Sequence, residues 1–378
     1  MVLFLFPHYY DPNPIVIESF PVHVSSATLA DLHTRLRMIR WPRGVTDTGG
    51  ISLREMEEIT RYWLSEYNWS AHEHEMNRLP HFRAVCSGDL RLHYIHTTTA
   101  RSESIPLLLL HGWPGSFVEM LSLVPHLAGS FDLIVPSLPG FGFSDPPESA
   151  GMSNERIAML LAELMTLLGY ERFAVHGGDV GAGIATWLAR RFPARVHSIH
   201  LNYIPGSYAP FLETPLSDEE STFLRLRSDW AQERGGYAHV QGTRPLTLAY
   251  ALSDSPSGLA AWIVEKFREW ADPRSPIPLD TVLTNVTLYW ATNSIASSMR
   301  LYLESGRSPL AFEEGERMQV PCGIARFPCE LPFPPRSWVE RAYNVTQWTE
   351  MPQGGHFAAL EEPVRLAEDI ATFLKRAP

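Results

Sequence analysis

Four short apolar runs, each ending at glycine or proline, constrain this chain more than any other feature. They read "IPLLLLHGWPG" at 105–115, "FDLIVPSLPGFG" at 131–142, "RFAVHGG" at 172–178 and "VHSIHLNYIP" at 196–205. Runs this short that are apolar at successive positions need cover on both faces, as the strands of a parallel sheet do. Helical segments lie between them. "SNERIAMLLAELMTLLGY" is amphipathic, with Ser153 to cap it, Glu155 in its first turn and Gly169 to stop it. Another helix follows "RFAVHGG" and runs to Pro193. Strands alternating with helices predict an α/β class with a doubly wound, mostly parallel sheet.

The flanks of this block read differently. "SSATLADLHTRLRMIRWP" has caps at Ser25 and Ser26, apolar residues near helical spacing and a stop at Pro42. A second helix begins at Ser52, and "DLRLHYIH" alternates as a strand. From Gly206 to Gln319 the alternation ceases and helical segments such as "GLAAWIVEKFREWA" take over, which predicts a helical insertion acting as a lid. Strand-like "CGIARFP" and "NVTQWTEMP" then resume the sheet, and "EPVRLAEDIATFLKRA" closes it with Pro363 in the first helical turn. The expected division is an N-terminal extension over 1–90, a core over 91–205 and 320–378, and a lid over 206–319.

Composition removes several classes of function. The net charge is −11 and no run of Lys or Arg forms a basic stripe, which argues against a nucleic-acid partner. Cys86, Cys322 and Cys329 build neither a disulfide framework nor a zinc set, and fit a reducing compartment. The opening "MVLFLFP" lacks a basic start and a small-residue cleavage site, so it reads as a poor signal peptide. No apolar stretch approaches the ~18–20 residues of a membrane span. The expectation is a soluble, cytoplasmic protein with no metal and no cofactor.

The stretch Gly177-Gly178-Asp179-Val180-Gly181 fits a nucleophile elbow, with a strand before it and a helix after it. The same glycines lack the spacing of a dinucleotide loop and the lysine of a phosphate loop. An aspartate in place of serine changes the chemistry. A carboxylate displaces a leaving group at an sp3 carbon and becomes an ester itself. Water then attacks the carbonyl carbon of that aspartyl ester. Asp179 therefore points to epoxides or alkyl halides, and away from ordinary esters.

That second step needs a base and a group to orient it. His356 follows the last strand in "MPQGGHFAALEEP". Glu330, at the end of "IARFPCE", is the favoured orienting acid, with Glu340 and Glu350 as competitors. An oxyanion forms on the way and needs N–H donors. The Val180 amide supplies one and the Trp113 amide, in "LLHGWPGS", the other. A cis Trp113-Pro114 bond would re-aim that turn.

Taken in order, "RWP" (40–42), "RLPHF" (78–82), "HGWPGSFVEM" (111–120), "PSLPGFGFSD" (136–145), "HGGDVGA" (176–182), "DSPSGLAAWIVEKF" (254–267), "FPCE" (327–330) and "GGHFAALEEP" (354–363) resemble the epoxide hydrolases of the α/β-hydrolase superfamily, microsomal type, across nearly the whole chain. The resemblance implies two lid tyrosines that hold and protonate the epoxide oxygen. "GGYAHVQGTRP" gives Tyr237 and "SSMRLYLE" gives Tyr302. It implies a small-molecule epoxide as the only ligand, no cofactor, and, by analogy with relatives, a homodimer. Bacterial relatives in natural-product biosynthesis, among them enediyne pathways, turn aryl or vinyl epoxides into diols. The chain departs from many relatives in carrying Val180 where they have tryptophan. That departure also removes the indole donor a haloalkane dehalogenase would use for halide, which is the alternative reading. A non-catalytic binding protein is expected to have lost a catalytic group, and every slot here is filled.

Overall fold

The computed structural model describes residues 17–44, 49–101 and 104–377, so the expectation for "MVLFLFP" lies outside the described residues. Strand β1 (Ile17–Ser19) lies at one edge of a nine-stranded sheet. Helix α1 (Ser26–Arg37) is capped by Ser25, whose hydroxyl accepts from the Thr28 amide, and α2 (Leu53–Ser65) by Ser52 in the same way. Helix α3 (Trp69–Met76) leads into β2 (His81–Cys86). The expectation for this region was helical, and the two helices start where the serines predicted. The strands β1 and β2 were not expected. β1 is three exposed residues, and "HFRAVC" mixes charge with small apolar side chains. Their conformation comes from pairing: β2 runs antiparallel to β3 (Leu90–Thr97), with His81 opposite Ile95 and Cys86 opposite Leu90.

The central block follows as β4 (Leu107–Leu110), short helices α4 (Phe117–Met120) and α5 (Val124–Leu127), β5 (Leu133–Pro136), α6 (Asn154–Leu167), β6 (Phe173–Gly177), α7 (Asp179–Arg191) and β7 (Val196–Leu201). The lid contributes α8 (Asp218–Arg234), α9 (Gly236–Thr243), α10 (Pro245–Asp254), α11 (Pro256–Trp270), α12 (Leu279–Thr292) and α13 (Ile295–Gly306). The chain then completes the sheet with β8 (Pro321–Arg326), α14 (Arg336–Glu340), β9 (Asn344–Glu350), α15 (Ala358–Glu361) and α16 (Pro363–Arg376).

The strand order is β1-β2-β3-β5-β4-β6-β7-β8-β9. Pairing is antiparallel from β1 to β5 and parallel from β5 to β9. The fully buried β4 shows why its sequence is continuously apolar. Leu108 and Leu110 enter one core with α6 and α7, while Leu107 and Leu109 enter the other with α5 and α16. Each such leucine contributes about 1.5–3 kcal/mol by leaving water. The sheet is thus covered on both faces, as the alternating sequence predicted.

The strands of this N-terminal region join the sheet through β3, and its helices α1, α2 and α3 pack against α11 and α12. Arg35 reaches Asp254 at 2.8 Å, Tyr62 donates to Asp280 at 2.8 Å, and the buried Trp63 indole donates to Thr287 at 3.1 Å. Among the described residues no helix is long and apolar enough to cross a membrane.

Candidate active site

The residues singled out from sequence converge where the parallel strands end. Asp179 follows β6 and takes a left-handed backbone conformation, with φ at +46°. Gly181 permits the sharp entry into α7: a β-carbon there would run into the Leu110 carbonyl at the end of β4. The pairing of β4 with β6 puts the Trp113 turn over Asp179. The Trp113 amide donates to Asp179 Oδ1 at 2.7 Å, and the Trp113-Pro114 bond is cis. The Val180 amide lies in the first turn of α7, where amides lack an intrahelical partner.

His356 and Glu330 come from the loops after β9 and β8. Those loops are tied together by a bridge in which the Cys329 amide donates to the Gly354 carbonyl at 3.1 Å. His356 Nδ1 lies 2.6 Å from Glu330 Oε1, and Nε2 lies 3.4 Å from Asp179 Oδ2. The His356 amide also donates to the Trp270 carbonyl of the lid at 3.0 Å. The Glu330 side chain is fully buried, and its Oε1 also accepts from the Leu331 amide at 2.7 Å. Burial pulls the His356 imidazole down, but the Glu330 and Asp179 carboxylates outweigh it and hold its pKa well above the usual histidine value. The competing acids go elsewhere. Glu340 pairs with Arg336 at 2.6 Å and Glu350 with Arg326 at 3.0 Å.

The lid supplies the tyrosines. Tyr237, on α9, stacks on the Trp113 indole with centroids 5.4 Å apart, and Tyr302, on α13, meets the same indole edge-on at 5.8 Å. The two phenol rings lie 6.0 Å apart. Burial, reinforced by the Asp179 charge, pushes both phenols above their ordinary value, so both keep their protons at neutral pH. Asp179, Val180 and both tyrosines border one cavity of about 670 Å³. A groove of about 690 Å³ between α3 and α12 touches none of them.

Several neighbours went unnoticed in the sequence. Tyr203, just beyond β7, meets the His356 ring edge-on at 5.6 Å. A rule that every parallel strand end faces the site would have found it. Trp270 packs on His356 and Tyr237, each at 5.1 Å, and the Lys266 ammonium lies 4.9 Å from the Tyr237 ring. Both belong to α11, and no local sequence signal marks them. Glu119, in α4, has its carboxyl pushed up to about 8 by burial; the Asp179 charge adds to the push and His356 opposes it.

Residues 17–120 match a family model described as epoxide hydrolase N terminus, and residues 105–254 one described as alpha/beta hydrolase fold. A relative from Stigmatella aurantiaca, provisionally named an epoxide hydrolase, is 40% identical over 94% of this chain and 84% of its own. Juvenile hormone epoxide hydrolase 1 of Ctenocephalides felis is 35% identical over 96% of this chain and 86% of its own. The solved structure of Aspergillus niger epoxide hydrolase superposes with a TM-score of 0.87 at 31% identity, covering 96% of this chain and 97% of that one.

Proposed function

This chain belongs to the epoxide hydrolases of α/β-hydrolase fold, and on that premise we propose that it turns an aryl or vinyl epoxide into a vicinal diol through an ester on Asp179. The observation that carries the reading is the carboxylate of Asp179 between two sets of groups: the Trp113 amide and His356 on one side, and the paired lid tyrosines over the same cavity on the other.

In the first step an Asp179 carboxylate oxygen attacks an epoxide carbon and the carbon–oxygen ring bond breaks. The departing oxygen takes a proton from the phenol pair, Tyr237 and Tyr302. A hydroxyalkyl ester and one phenolate result. In the second step water attacks the ester carbonyl carbon and gives a proton to His356, which Glu330 holds in place. The oxyanion is met by the Trp113 and Val180 amides. Collapse expels the diol alkoxide, which takes the proton held by His356, and the phenolate regains its proton from the Asp179 carboxylic acid that the collapse leaves, so carboxylate, phenol and imidazole return to their starting states. The sum is epoxide plus water to diol, with the water oxygen left in Asp179. Aromatic walls formed by Tyr203, Phe223, Trp230 and Trp338 favour an unsaturated or aryl substituent on the epoxide.

The experiment is the intact mass of His356→Gln after exposure to aryl, vinyl and alkyl epoxides and to haloalkanes. The expected result is a gain of one whole epoxide that disappears when Asp179→Asn is added. A gain of an alkyl group without its halogen would assign dehalogenation instead. The phenol pair argues against that outcome, because it provides donors and a proton for an alkoxide.

A further inference from the structure

Apart from Asp179, Arg227 is the one charged side chain that borders the catalytic cavity among the described residues. It lies on α8, one helical turn from the cavity-lining Phe223, Leu224 and Ala231, so a guanidinium stands in the middle of a largely apolar stripe that Ser228 also interrupts. It is half-buried, and its guanidinium carbon is 5.4 Å from the Phe223 ring. Its neighbour Arg225 bonds Thr222, whereas Arg227 makes no hydrogen bond or ion pair among the described residues. Burial pushes the Tyr203 phenol up, and the Arg227 charge opposes that push, which places the cation within electrostatic reach of the inner site.

A half-buried cation with no anion beside it has lost part of its hydration without compensation. A planar guanidinium is matched by a carboxylate, which it takes through two parallel hydrogen bonds. The chain as a whole carries a charge of −11, so long-range attraction does not bring anions in. A local cation is therefore the feature that would hold one. It would also set the orientation. With the carboxylate at Arg227 the epoxide faces Asp179; in the reverse pose two carboxylates would oppose each other at the nucleophile. We propose that Arg227 forms a carboxylate subsite, and that the preferred substrates are epoxides bearing a carboxylate on the end remote from the ring oxygen. This rests on the epoxide reading above.

The test compares kcat/KM for styrene oxide, para-carboxystyrene oxide and its two-methylene homologue (an aryl propanoic acid), each acid against its primary amide. The wild-type protein is expected to prefer at least one acid over its amide by about 10- to 100-fold, mainly through KM, with the ratio falling as salt rises. Arg227→Gln should bring the acid-to-amide ratio near one, and Arg227→Lys should restore part of it. A side chain that only supports α8 would lower acid and amide alike and leave the ratio intact, which would overturn the subsite. Styrene oxide turnover with no acid preferred over its amide would also overturn it, while leaving the epoxide reading standing. If no probe is turned over and none labels His356→Gln, both readings fail together.

Discussion

At the scale of single residues, Asp179 combines a costly backbone conformation with the carboxylate proposed as the nucleophile. A non-glycine side chain in the left-handed region costs about 1–2 kcal/mol, and Asp179 sits at φ +46°. Asp179→Gly is therefore expected to unfold at higher temperature than Asp179→Ala, by roughly 1 kcal/mol of stability, with both inactive; thermal melts of the pair measure the strain directly. His356 gives a prediction about pH. In the resting protein Glu330 and Asp179 both favour its protonated form, so it enters the cycle charged near neutral pH. Esterification removes the Asp179 charge, one of the two supports, so the His356 pKa must fall and the imidazole becomes free to act as a base. Ester hydrolysis in single turnovers should rise with pH, with a midpoint below that of His356 titrated by NMR in the resting protein. Equal midpoints would mean that the Asp179 charge does not govern the base. Glu330→Gln removes the larger support and the orienting bond together, and kcat is expected to fall by roughly 10²–10⁴-fold, measured as slower ester breakdown rather than slower ester formation.

At the scale of elements, the site depends on how closely α7 approaches β4. Gly181 allows that approach, because a methyl group there meets the Leu110 carbonyl. Gly181→Ala is expected to cost about 1–3 kcal/mol and to move the first turn of α7 away from the Trp113 amide. Calorimetry reads the first effect and the rate of ester formation the second. A fully stable, fully active Gly181→Ala would show that the elbow tolerates more room than the contact allows. The pairing of His356 with Glu330 is an element-scale effect as well. The two residues are 26 positions apart, and the bridge between Cys329 and the Gly354–Gly355 turn brings their loops together.

At the scale of the molecule, the N-terminal helices are tied to the helices between β7 and β8. Trp63 is buried against α12, and its indole bonds Thr287, while Arg35 and Tyr62 hold α10 and the start of α12. Trp63→Ala is expected to cost about 3–5 kcal/mol and to raise KM, because α12 and its neighbour α11 lose support and α11 carries Trp270, which packs on Tyr237. Melting temperature and KM together test this. A variant that loses stability with KM unchanged would place Trp63 in the fold alone.

How far the chain could be read depended on the range of the signal. Continuous apolar runs announced the parallel strands, and serines and glycines marked helix ends, because such patterns act over a few residues. Asp179, Glu330 and His356 could be singled out for the same reason, since each sits at a strand end with its own turn chemistry, and the structure brings the three together. β1 and β2 were not, since their strand conformation comes from a partner in the sheet and not from local pattern. Trp270, Lys266 and Arg227 were not, since they lie in the lid, and only packing decides which side of a lid helix faces the cavity. The sequence by itself determined the α/β order, the elbow and the types of group available for chemistry, all of which follow from short-range sterics and hydrophobic periodicity. The tertiary structure decided which of those groups meet, how the aromatics of α9, α11 and α13 gather near Asp179 and where the Arg227 cation faces the cavity, because these depend on contacts between residues far apart in the chain.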